Sequence, residues 1–171
     1  MTWTAPEVTR PSGDTAADEQ VLLPSLLNWH RGTFLHKLAG LTGEQLAQAS
    51  VPPSNLTLLG LVRHLAKVER IWFRLHYTAQ DIGPLYDPAL GKDHDFEAID
   101  AAKAEEAYDI LLEEIRLADE AAAGRPLDDT FDVGGKPFSL RMLYIHMIGE
   151  YARHNGHADL IRERVDGRTG A

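Results

Sequence analysis

The chain has 171 residues, a length that suits one domain and is enough to bury a core without disulfides or a structural metal. Apolar residues make up 44 % and charged residues 25 %, and a formal net charge of −9 argues against a general binder of nucleic acid or membrane surfaces. There is no cysteine, so disulfides and cysteine-ligated metal sites are excluded, and any thiol chemistry needs an external thiol.

Residues 1–17 carry Pro6, Pro11 and Gly13 among polar residues and read as an extended arm, with Trp3 pinning it to the body. Met1 to Asp18 lack the basic start and apolar stretch of a secretory signal. No apolar run approaches the ~18 residues of a membrane span, so a cytoplasmic protein is expected. A first helix is expected over about 18–40, with Leu23, Leu26, Leu27, Phe34, Leu35 and Leu38 near helical spacing. Pro24 is tolerated only near a first turn, which pulls the expected start toward it, and Gly40 fits the stop. Thr42-Gly43-Glu44-Gln45 has the form of a capping box and opens a short helix that ends before Pro52-Pro53.

Thr57 caps the second long helix, expected to reach about His76, with Leu58, Leu61, Val62, Leu65, Val68, Ile71 and Trp72 on its apolar face. A connection rich in Gly83, Pro84, Pro88, Gly91 and acidic residues follows, and loops of this length in a small domain are often functional. The third helix is expected over about 101–123, with Ala107, Leu111, Leu112, Ile115 and Leu117 inward, ended by Gly124 and Pro126. Phe131 to Phe138 form a hairpin-like turn around Gly134-Gly135, and Ser139 caps the last helix, about 139–164. Four long helices without a convincing strand pattern indicate an all-α fold, a four-helix bundle with a long connection between its second and third helices.

The last helix carries the chemistry. With His146 at 0° and about 100° per residue, Glu150 falls at about 40°, His154 at about 80° and His157 at about 20°. All four share one stripe, and Glu150 and His154, at i and i+4, can converge on one point. His64 stands on the second helix between Val62 and Leu65, where an imidazole facing the core needs a partner. Together His64, Glu150 and His154 make a His₂Glu set that suits zinc with an open fourth position, and nickel or iron(II) accept the same ligands. From spacing alone two readings stand side by side. Each histidine taken singly is more often a surface or hydrogen-bonded residue than a ligand, and Glu150 also reads as a solvated partner of Arg153 or His154. His146 and His157 could replace a ligand or support one from behind. The lack of any Glu-x-x-His motif argues against a di-iron carboxylate site, which needs two.

Three stretches resemble the DinB/YfiT-like superfamily of metal-binding bundles. They are Thr57 to Leu65, Glu150 to Asp159, and the arm with the first helix, including Thr2 to Pro6 and Trp29-His30-Arg31. That superfamily commonly uses three histidines, whereas Glu150 stands here four residues before His154. This departure resembles the mycothiol-dependent maleylpyruvate isomerase and mycothiol S-transferase branch. The resemblance implies an arm over 1–17, a bundle over 18–166 and a flexible tail over 167–171, with His64, Glu150 and His154 as ligands of zinc, nickel or iron. His157 stands where many relatives have glutamine. The implied activity is transfer of a low-molecular-weight thiol, mycothiol, onto an electrophile, the metal favouring thiolate over thiol. Arg31, Arg153 and the 77–100 connection are candidates for contacting the thiol, with solvated surface charge as the plain alternative for each arginine. Two other readings are a metal-dependent hydrolase, for which Glu69, about 140° from His64 around the helix, is poorly aimed as a base, and a non-catalytic metal-binding or stress-associated bundle. A homodimer through a helix face is compatible with all three.

Overall fold

A computed structural model describes residues 2–13, 15–86, 89, 91 and 93–170. Met1 and Asp14 of the arm, Asp87, Pro88, Leu90 and Lys92 of the connection, and Ala171 of the tail lie outside them. Among the described residues the elements are α1 (Glu19–Leu38), α2 (Gly43–Leu46), α3 (Leu58–Glu69), a π-helical continuation of α3 (Arg70–Tyr77), α4 (Ala104–Ala122, entered through a 3₁₀ turn at Ala101–Lys103), β1 (Thr130–Val133), β2 (Lys136–Ser139) and α5 (Leu140–Asp166). The chain is mainly helical, and its leucine-rich core lies between the long helices. No described helix is long and apolar enough to cross a membrane.

Local chemistry explains most boundaries. Asp18 caps α1 by accepting from the Val21 backbone N–H, so the helix begins at Glu19 and carries Pro24 inside it, earlier than the proline alone suggests. The amide that Pro24 lacks would have met the carbonyl of Gln20, which is exposed and loses little by it. Both halves of the Thr42–Gln45 capping box form, opening α2. Thr57 and Ser139 cap α3 and α5 through the backbone N–H of Gly60 and Met142. Gly167 ends α5 in the left-handed region at φ 79°. The C-terminal carbonyls of α1 are answered from α5, where the buried Arg162 guanidinium donates to Lys37 O and Ala39 O.

Three features correct the sequence reading. The hairpin is a true antiparallel strand pair, Thr130 facing Ser139 and Val133 facing Lys136, so the fold is not purely helical. Leu112 is 40 % exposed, and Glu114, 1 % exposed, takes an inward position between Leu111 and Ala118. Its carboxylate is buried because Arg70 and Arg74, both on the π-helical segment, donate to it at 2.5 to 3.0 Å. The third correction is that segment itself. From Arg70 the second long helix widens, a change of hydrogen-bond register that leaves no mark in apolar periodicity.

The arm is docked. Ala5 exchanges backbone hydrogen bonds with the Gly40–Leu41 corner, and Trp3 packs edge-on against Tyr108 with ring centroids 5.9 Å apart. A buried polar cluster then ties three helices at one carboxylate and reaches a fourth through Arg31. Glu69 of α3, fully buried, receives Arg31 Nε and Nη2 of α1 at 2.7 Å each and the Tyr151 hydroxyl of α5 at 2.8 Å. Arg31 Nη1 also donates to Asp119 of α4 and to Asn28. Sliding α5 along α3 breaks the Tyr151 bond, so this cluster fixes the register in which Glu150 and His154 face His64.

Candidate metal centre

His64 leaves the inward face of α3 at its edge, and Glu150 and His154 leave one stripe of α5. One donor atom from each lies within 4.8 Å of the other two. Glu150 Oε2 is 3.9 Å from His64 Nε2 and 3.5 Å from His154 Nε2. Ligand atoms held tetrahedrally at about 2.0–2.2 Å from zinc stand about 3.4 Å apart. The observed separations therefore need only small side-chain rotations to close around one ion. The side chains are 9–20 % exposed, so the point of convergence stays open to solvent.

The 77–100 connection completes the surroundings of His64. Asp95 is 1 % exposed, and its Oδ2 lies 2.7 Å from His64 Nδ1 while Lys67 Nζ donates to Oδ1 at 2.9 Å. Burial alone would push this carboxyl up. The hydrogen bonds from His64 and Lys67, with the Lys67 charge, outweigh it and hold Asp95 down at about 2. An ionised Asp95 accepts a hydrogen bond from His64 Nδ1–H and leaves the Nε2 lone pair on the side of Glu150, the tautomer a ligand needs. Phe96 stacks on the other side of the ring, centroids 4.8 Å apart, and Arg63 pins the same loop by donating to His94 O and Glu97 O.

His154 is oriented by His157, whose Nδ1 lies 3.3 Å from His154 Nδ1. With its proton on Nδ1, His154 donates to His157 and keeps Nε2 bare toward Glu150. Burial first, then the nearby His64, hold His154 well below the ordinary imidazole range, so it is neutral at neutral pH. His146 stands apart from the three donors, one turn before Glu150, packed on Trp72 at 4.2 Å. Burial lowers its pKa as well.

The two arginines part company. Arg153 is 64 % exposed at the rim, with Nη1 3.4 Å from Glu150 Oε1. Arg31 is 2 % exposed and spends four hydrogen bonds on Glu69, Asn28 and Asp119, so it is neither a solvated surface charge nor a rim residue. Glu69 is equally committed, fully buried and bound to Arg31 and Tyr151. Sequence reasoning missed Asp95, Lys67 and Phe96. The available signal was the acidic connection itself, together with Lys67 placed three residues after His64, on the same face of the helix.

The fold and these donors define a mainly helical protein with a His₂Glu group between α3 and α5. Over residues 22–167 the chain matches the mycothiol-S-transferase family, and it belongs to that family. Among curated proteins no sequence matches it.

Proposed function

We propose that the protein is a metal-dependent thiol S-transferase of the DinB-like four-helix-bundle type, acting in the cytoplasm with mycothiol as its thiol. His64, Glu150 and His154 hold the metal, zinc before nickel or iron(II). The bound ion supplies Lewis acidity that favours the thiolate over the thiol at neutral pH. Asp95 and His157 keep the two imidazoles in the ligating tautomer. Arg153, exposed beside Glu150, reaches polar or anionic groups of the thiol at the rim. In the overall reaction with an alkylating electrophile the sulfur forms a bond to carbon, the carbon–leaving-group bond breaks with its electron pair going to the leaving group, and the thiol proton passes to solvent.

The observation that carries this reading is the convergence of three donor atoms within 4.8 Å, one histidine already oriented by a buried carboxylate, in a chain of the mycothiol-S-transferase family. Glu69, bound in the core, offers no base for a hydrolase. The test is disappearance of mycothiol and formation of its thioether with an alkylating electrophile, using protein as loaded with zinc and after chelation. Transfer that requires the metal and falls to background in His154→Ala is expected. Metal binding without turnover of any electrophile would return the chain to a metal-holding role.

A further inference from the structure

A cavity of about 220 Å³ lies between α3, the connection and the start of α4, and none of the three donors lines it. Leu59 of α3, Ala98 of the connection, and Ala107 and Ile110 of α4 give it apolar walls. The charged groups on its α4 side are already committed. Lys103 and Glu106, both exposed, pair with each other at 2.9 Å, and Asp100 accepts from the Ala102 backbone N–H.

Three further features are not explained by packing. Arg63, partly buried, lines the cavity with no acid in ion-pair contact among the described residues. Its guanidinium lies 4.6 Å from the centre of the Tyr86 ring, and its Nη atoms donate to the neutral carbonyls of Glu97 and His94. The hydroxyl of Tyr86, which lines the same cavity, is buried without a hydrogen-bond partner among the described residues, a state native structures seldom keep without a reason. Tyr86 and Ala98 both take the left-handed backbone region, at φ 54° and 49°. Strain of this kind gathers at ligand clamps.

A water takes about 30 Å³ of liquid, so the space holds a molecule of about seven heavy atoms. A carboxylate supplies what Arg63 and Tyr86 lack, a counter-charge for one and an acceptor for the other. A free phosphate would put no apolar body against the walls and brings more charge than one guanidinium answers. We infer that this cavity binds a small monocarboxylate, its charged end on Arg63 and its apolar body against Leu59, Ala107 and Ile110. Tyr86 turns its closed-off hydroxyl to the incoming carboxylate. The site is separate from the metal centre and touches it only through the connection, where Asp95, between the two carbonyls held by Arg63, meets His64. It does not depend on the thiol-transferase reading.

The probe is 3-methylbutanoate, with 3-methylbutanamide as its uncharged counterpart and acetate as the charge without the body. Each is titrated into the whole nitrogen-15-labelled chain, with zinc and after chelation, and followed by backbone amide NMR shifts. Saturable shifts around Tyr86, Ala98, Ala107 and Ile110 are expected for 3-methylbutanoate, the same with and without zinc, and binding about tenfold weaker for the amide and for acetate. Arg63→Gln should weaken 3-methylbutanoate about tenfold and Tyr86→Phe about threefold. Tyr86→Phe keeps the ring against Arg63, so it tests the hydroxyl even where Arg63→Gln unsettles the connection. No saturable binding, or shifts that centre on His64, Glu150 and His154 and need zinc, would overturn the site. Amide binding as tight as that of the acid, or folded variants that both bind as wild type does, would overturn it equally.

Discussion

Replacing Asp95 with asparagine keeps the side-chain volume and removes the charge. The native carboxylate accepts from His64 Nδ1 at 2.7 Å through one oxygen and from Lys67 Nζ at 2.9 Å through the other. An amide offers one oxygen and one NH₂, so one of the two donors must face a donor. A charge-assisted hydrogen bond contributes roughly 1.5–3 kcal/mol, and one of the two is lost outright. If the loss falls on His64, the ring is free to turn or to carry its proton on Nε2, where a ligand needs a lone pair. Removing such a supporting carboxylate typically weakens metal affinity about 10–100-fold, or about 1.4–2.7 kcal/mol, which agrees with the loss of one bond. Phe96 still stacks on His64 in the variant, so the loop stays docked. Zinc affinity is measured by competition with a chromophoric chelator, and folding by circular dichroism. A folded Asp95→Asn protein with zinc affinity within about twofold of wild type would refute the orienting role assigned to Asp95.

The buried cluster makes a graded prediction. Tyr151→Phe loses one hydrogen bond and should lower urea stability by about 1 kcal/mol, whereas Glu69→Gln removes the buried counter-charge of Arg31, leaving it only the half-exposed Asp119, and should cost about 3 kcal/mol. Comparable costs for the two would show that the ion pair does not anchor the four helices. Two glycines should respond in opposite directions. A Cβ at Gly43 would lie 2.4 Å from the Ala101 carbonyl oxygen, so Gly43→Ala should destabilise by about 1–3 kcal/mol. Gly156, mid-helix with nothing within 4 Å of the same position, should gain about 0.5–1 kcal/mol as alanine, read from the same denaturation curves. All five tyrosines are raised, mainly by burial, Tyr77 and Tyr144 to about 12 and Tyr151 well above the ordinary value. A raised folded-state pKa means stability that is fully present below the unfolded value near 10 and lost as pH climbs through the folded value. Tyrosinate absorbance should therefore lag behind that of the denatured chain around pH 10 and appear together with alkaline unfolding. A titration overlaying that of the denatured chain would contradict the burial.

Helix existence and most helix ends were legible because each rests on a local device. Thr42, Thr57 and Ser139 cap, Gly167 stops, and the leucine spacing of α3 is helical. The stripe of Glu150 and His154 was legible for the same reason, since an i, i+4 pair is fixed by the helix alone. The rest depends on partners distant in sequence. Leu112 and Glu114 exchanged places because Arg70 and Arg74 neutralise the acid, and Pro24 stayed inside α1 because Asp18 caps it. Arg31 could not be told from a surface arginine until Glu69 and Tyr151 were brought to it. Asp95 lies 31 residues from His64 in a segment without periodicity, so nothing local marks it as the partner of that ring. The π-helical register after Glu69 has no sequence signature in a run of apolar and basic residues.

The central claim, that His64, Glu150 and His154 together hold one metal ion, is tested most directly by metal content. Untagged protein and its His64→Ala, Glu150→Ala and His154→Ala variants are reconstituted with zinc, dialysed and measured by mass spectrometry, with helicity checked in parallel. About one zinc per wild-type chain, lost in each folded variant, is the expected result. Zinc retained in all three folded variants, or none held by the reconstituted wild type, would contradict the account.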